Sequence, residues 1–208
     1  MDLAVDQAGA GDRWSLTAGV AGWGLQPVTH IARQAPLLAA RRAGRIVTHA
    51  GRLVAVYGRW WPHAGNLLQV HWDQYWRSLP SDFCELYYHA PWSVPNYLTV
   101  DYVRSGRGTS LSSLYAATLA LDAIAQVRQS AAIVCHLSNS RLSDRLLRRW
   151  GWQPHCEHWH GRHFIKRFYG QYPEIPAAWR QRLTVDGIIS RSALAPGFRR
   201  NQMPTHSQ

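Results

Sequence analysis

Asn96-Tyr97-Leu98-Thr99-Val100-Asp101-Tyr102-Val103-Arg104-Ser105-Gly106-Arg107-Gly108-Thr109-Ser110-Leu111 opens the part of the chain that decides the fold, which runs on to Gly151. Tyr97 to Val103 reads as a strand and Arg104 to Ser110 as a basic, glycine-bearing turn. Beyond the turn Leu111, Leu114, Thr118, Leu121, Ile124 and Ala125 recur at three and four residues, the stripe of a helix packed on a sheet. A turn of this kind between strand and helix suits a phosphate group, because free backbone N–H groups and the positive helix end converge there. The expectation is a phosphorylated cofactor.

Working outward, Ala131 to Leu137 is a short apolar strand, so strand, helix and strand predict a crossover with parallel strands. Ser140 is placed to cap a second helix, Arg141 to Trp150. Asp144 lies near its positive end, Arg148 and Arg149 near its negative end, and Gly151 is its stop. Trp152 to His160 and His163 to Tyr169, joined by Gly161-Arg162, read as a closing hairpin.

Upstream, His30 to Ala43 reads as a helix stopped by Gly44. Arg45 to Ala50 and Leu53 to Trp61 form an expected hairpin around Gly51-Arg52. Asn66 to Ser78 carries one apolar helical face, although its aromatic content suits a strand equally, and Phe83 to Ala90 is a further strand. The expected organisation is an irregular lead-in over residues 1–26, one domain over 27–172, and a loosely attached, proline-bearing tail over 173–208.

The chain of 208 residues has Lys+Arg 23 against Asp+Glu 12, a formal net charge of +11, and Lys166 is its single lysine. Arginine binds phosphate bidentately and stacks on rings, so this balance suits phosphorylated ligands or nucleic acid, although a coding bias toward arginine produces the same excess. Cys84, Cys135 and Cys156 are odd in number and fall in strand-like runs, which favours reduced thiols over a disulfide framework. Residues 1–24 show no signal-peptide pattern, and no window approaches the roughly 18 apolar residues of a membrane span. A cytoplasmic protein without a membrane segment is expected.

Neither of two common phosphate motifs fits the turn. A P-loop needs Gly-Lys-Ser/Thr, and a dinucleotide fingerprint needs a glycine where Leu111 stands. The segment instead resembles the acyl-CoA-binding turn of the GNAT superfamily of N-acyltransferases, Q/R-x-x-G-x-G/A between a strand and a long helix. Ser105 takes the Gln/Arg position, Gly108 the first glycine, Thr109 the aliphatic position and Ser110 the final small residue. In a second register Val103, Gly106 and Gly108 take these places. The family's next strand is followed by Asn, a short helix and Gly-Phe, and here Asn139, Arg141 to Trp150 and Gly151-Trp152 stand in that order.

The resemblance covers Tyr97 to Tyr169 and implies a mixed α/β (α+β) sheet with flanking helices, the GNAT-like acyl-CoA N-acyltransferase fold. It implies acetyl-CoA or another acyl-CoA as cofactor and a small-molecule or protein amine as acceptor. The cofactor would lie against Val103, Arg104, Ser105, Gly106, Arg107, Gly108, Thr109, Ser110 and Asn139, its pantetheine arm between the splayed strands at Val100 to Val103 and Cys135 to Ser138. The family's tyrosine general acid has no counterpart, since Leu147 holds its place. Glu85 and Asp101, carboxylates on expected strands, are the candidate bases. The helix expected at Asn66 to Ser78 departs from the family order. The alternatives are a catalytically silent CoA-binding relative and a basic nucleic-acid-binding protein.

Two other constellations stand out. On a strand, Cys156, His158 and His160 would share a face, yet zinc ligands usually come from separate elements and no Cys-x-x-Cys accompanies them, so no metal site is expected. Trp60, Trp61, Trp72, Tyr75, Trp76, Tyr87, Tyr88, Trp92 and Tyr97 suit core and surface packing first, an acceptor pocket, or, with Arg59, Arg77 and Arg104, stacked single-stranded bases, although no recognised nucleic-acid module is present.

Overall fold

A computed structural model describes residues 27–60, 81–106, 108–137 and 142–184. The lead-in, the expected helix at Asn66 to Ser78, the chain beyond Thr184, and Arg107, Asn139 and Ser140 lie outside the described residues.

The described chain is mixed α/β, a seven-stranded sheet with flanking helices. The strands are β1 (Ala43–His49), β2 (Arg52–Arg59), β3 (Phe83–His89), β4 (Tyr97–Ser105), β5 (Ala132–Leu137), β6 (Gln153–Pro154) and β7 (Arg162–Arg167). The helices are α1 (Ala35–Ala40), α2 (Leu111–Val127), α3 (Asp144–Arg149) and α4 (Ala177–Arg180). The sheet order is β2-β1-β3-β4-β5-β7-β6. Among the described strands only β4 and β5 pair in parallel, which the intervening long helix allows.

Local chemistry accounts for most boundaries. The hairpin turns at Ala50 and Gly51, both at positive φ (49° and 70°), so His49 pairs directly with Arg52. The turn is one residue earlier than expected. The expected helix from His30 shrinks to α1, because Pro36 sits in its first turn and the backbone is already extended at Arg41. The Ser110 side chain accepts from Ser113 N and caps α2. Ser143, not Ser140, caps α3, with Asp144 in its first turn and Arg148 and Arg149 in its last.

Alternation along the strands divides the sheet faces. Ile46, Cys84, Leu86, Tyr88 and Leu98 point into one buried core with the Ala116, Ala120, Leu121 and Ile124 face of α2. Helix α2 packs against β1, β2 and β3, and α1 packs against α2. The other face carries Arg45, Glu85, Tyr87, Tyr102 and Arg104, placed in register by the ladders β1–β3 and β3–β4.

The closing hairpin is shorter than expected: β6 has only Gln153 and Pro154, and residues 155–161 form a turn rather than a strand. Cys156 adopts φ 52°, which breaks the alternation that would have aligned it with His158 and His160. The chain also stays on the domain past Tyr172. Tyr172 Oη donates to Ser130 O at 3.0 Å, Leu53 N donates to Arg182 O at 2.8 Å, and Leu183 is buried.

Cys84 and Cys135 are free and buried, and burial pushes both thiols up to about 12. Cys156 is free and half-buried. Among the described residues, no helix is long and apolar enough to cross a membrane.

Candidate functional site

β4 and β5 run side by side only from Tyr97–Ala132 to Val100–Cys135. Past that point β4 stays bonded to β3 as far as Ser105–Cys84, and β5 stays bonded to β7 as far as Leu137–Arg162. Each strand is therefore held on its outer edge while the inner edges part. A wedge results, and among the described residues no ladder bond crosses it. Val103 lies on its β4 side. Val100 and Cys135, expected in the splayed segments, are still paired with each other, the ladder ends just beyond them, and Ser138 and Asn139 lie outside the described residues.

The turn at the mouth of the wedge is already partly filled. Gly106 N donates to Phe83 O at 3.4 Å, and Thr109 N donates to Gly106 O at 3.2 Å. Ser110 N donates to Asp82 Oδ1 at 2.7 Å, and the same oxygen accepts from Ser110 Oγ at 2.6 Å and Ser113 Oγ at 2.7 Å. The Asp82 carboxylate thus occupies the first turn of α2, where the sequence pointed to a phosphate. Burial alone would raise its pKa, but the hydrogen bonds from Ser110 and Ser113 outweigh burial and hold it below the usual range. The amides of Gly108, Leu111 and Ser112 have no acceptor among the described residues.

Arg104, expected beside the turn, lies elsewhere. Because β4 continues as a strand to Ser105, alternation sends Arg104 to the sheet face, with Nη1 3.6 Å from Glu85 Oε2.

Glu85 is the hub of that face. Arg45 Nη1 donates to Glu85 Oε1 at 3.3 Å, and Tyr87 Oη donates to Glu85 Oε2 at 3.0 Å. The Tyr87 and Tyr102 rings stack with centroids 4.2 Å apart. Burial raises the pKa of both phenols, with Glu85 adding to Tyr87 and Tyr87 adding to Tyr102, so both stay protonated near neutrality. A path of polar groups therefore leads from the buried carboxylate across to Tyr102 on β4, the strand that borders the wedge.

Asp101, the second candidate base, is the extra residue of a bulge opposite Tyr87 and Tyr88, and its Oδ1 lies 2.5 Å from His89 Nδ1. The two carboxylates belong to separate clusters. Leu147, at the place of the family's tyrosine, is buried in the core.

The histidine-rich segment brings together rings rather than ligands. His136 and His163 stack at 4.6 Å, and Trp159 meets His163 edge-on at 5.4 Å. No three His, Cys, Asp or Glu side chains among the described residues are grouped to hold a metal ion.

Sequence reasoning missed Asp82, Arg45 and Tyr102. The last two had a signal, since both sit on strands in the Glu85 register. Asp82 had none beyond its position in a turn ahead of β3. In comparisons with known proteins, no family model, no curated protein and no solved structure matched this chain.

Proposed function

We propose that the chain binds an acyl-CoA in the wedge between β4 and β5, in a GNAT-like acyl-CoA N-acyltransferase fold, and transfers the acyl group to an amine. The parting of the parallel strands after Val100 and Cys135, at the mouth of a glycine turn that starts a long helix, carries the reading. The inner edge of β4 past Val100, where the ladder to β5 ends, faces the arm's amides. The start of α2 offers Gly108, Leu111 and Ser112 amides to a diphosphate. Thr109 and Ser110 shape the turn rather than supply amides.

The chemistry asked of the protein is modest. The amine nitrogen adds to the thioester carbonyl, the C–S bond breaks, and the thiolate leaves and takes up a proton. The proton lost by the amine passes to a carboxylate. Glu85 serves through Tyr102 and Tyr87, and Asp101 stands as the other acceptor. A second reading, CoA binding without turnover, is favoured by the buried Leu147 and by the two guanidinium groups already held on Glu85.

Calorimetry with acetyl-CoA, paired with a thiol-release assay over a panel of amines, tests both. Binding that Gly108→Trp abolishes, with thiol release, supports transfer. Binding without release supports the silent relative. No heat at millimolar ligand removes both.

A further inference from the structure

We infer that a second site, for single-stranded nucleic acid, lies between Trp60 and Trp92, at the far end of α2 from the glycine turn. The two ends are separated by the 17 residues of α2, about 25 Å of helix length. The site is assembled from the entry to β1 (Arg41, Arg42), the exit of β2 (Trp60), the chain after β3 (Trp92) and the C-cap of α2 (Arg128).

Each indole lies under a guanidinium. Arg41 Cζ stands 3.9 Å from the Trp60 ring centroid, and Arg42 Cζ stands 3.9 Å from that of Trp92. Trp60 is 56% exposed and Trp92 63% exposed, so much of each large ring stays in solvent. Gly58 makes the first stack possible: a Cβ there would lie 2.7 Å from Arg41 Cγ, so only glycine lets the arginine stem cross β2.

Two of the three guanidinium groups, those of Arg42 and Arg128, are held by backbone carbonyls. Arg42 Nη2 donates to Ala90 O at 3.2 Å and Pro91 O at 3.0 Å. Arg128 Nη1 donates to Leu38 O at 3.3 Å and Ala39 O at 3.0 Å, and also to Arg41 O. Meanwhile Arg41 Nη1, Arg42 Nε and Arg128 Nε are buried with no hydrogen-bond acceptor among the described residues. Burial weakens the charged form of Arg128, Tyr88 favours it, and Arg42 weakens it further. Three cations share a small region whose cavity, ≈ 470 Å³, is lined by Ala39, Ala40, Arg42, Trp60, Trp92 and Arg128, with no carboxylate.

Among the described residues this lining carries no negative charge and offers flat apolar rings, and a phosphate-linked run of unstacked bases supplies both complements. Bases stack on the exposed indole area while phosphates lie over the three cations and are held by their charge. A duplex hides its base faces, and an acidic peptide leaves the indoles unused, so the single strand fits best.

The test is fluorescence anisotropy of the full chain with labelled oligouridine and oligothymidine of about ten nucleotides, within the range of one single-strand site. Expected is salt-dependent binding that Trp60→Ala and Trp92→Ala each weaken by about 5- to 150-fold while the salt slope is kept. Trp60→Phe and Trp92→Phe retain most of the affinity. The thermal midpoint stays the same in all four variants, and excess acetyl-CoA does not displace the oligomer. The inference is overturned by absence of binding at low salt, by alanine variants that bind like the parent, by equal affinity for a duplex or for uridine monophosphate, or by displacement with acetyl-CoA.

Discussion

Lys166 Nζ donates to Asp122 Oδ2 at 2.6 Å, joining β7 to the middle of α2 inside the core. Both residues are buried, and the other Asp122 oxygen has no partner among the described residues. Removing one member strands a charge. Lys166→Met should therefore cost about 3–5 kcal/mol, while Asp122→Leu with Lys166→Met should recover most of that loss. Urea unfolding of the two variants measures this, and a loss below about 1 kcal/mol in the single variant would show the charge to be dispensable.

The same carboxylate sets a pH dependence. Burial pushes Asp122 up to about 6 from an ordinary 3.8, with Lys166 pulling the other way. Between those values the folded state holds a proton that the unfolded chain has released. Its contribution is complete below the lower value and is lost as pH rises through the upper one. Stability should fall across that window in the parent chain, and Asp122→Asn should flatten this slope. An unchanged slope in the variant would assign the titration elsewhere.

Asp82 has the opposite sign. Its depressed carboxyl stabilises the fold above the ordinary carboxylate range and loses that contribution as pH falls through its folded value. Asp82→Asn keeps an oxygen acceptor for Ser110 and Ser113 and suits a left-handed backbone at φ 57°. It also removes an anion from the start of α2. Acetyl-CoA affinity by calorimetry should rise about two- to five-fold, the usual value of one unit charge at a helix end. A fall would mean that the carboxylate supports binding rather than opposing it.

Gly44 faces Tyr88 across β1 and β3, and a Cβ at Gly44 would stand 2.5 Å from the Tyr88 hydroxyl oxygen. Tyr88 is fully enclosed and has no room to retreat. Gly44→Ala should cost about 1–3 kcal/mol by overpacking. A thermal midpoint equal to the parent's would show that the ring can shift.

The elements most legible in the sequence are those set by neighbours along the chain. The apolar repeat of α2, its start directly after Ser110 and the turn near Gly51 each depend on a few adjacent residues, and each lies close to where it was read. What escaped depends on distant partners. Asp82 reaches Ser110 across 28 positions, and Leu183 enters a core built by strands far upstream. Arg104 changed roles because β4 runs two residues further than expected, so Arg104 belongs to the strand and alternates onto the sheet face instead of sitting in the turn. The Cys156 segment failed for a related reason, since one residue at positive φ cancels the alternation that a shared ligand face needs.

The short seam between β4 and β5 also governs how the molecule can flex. β2, β1, β3 and β4 form one plate, and β5, β7 and β6 form another, welded over only the four rungs from Tyr97–Ala132 to Val100–Cys135. Helix α2 braces both plates, resting on β1 to β3 and tied to β7 through Asp122 and Lys166. A hinge between the plates would fall at this weld, and the buried ion pair ties α2 to the second plate across it.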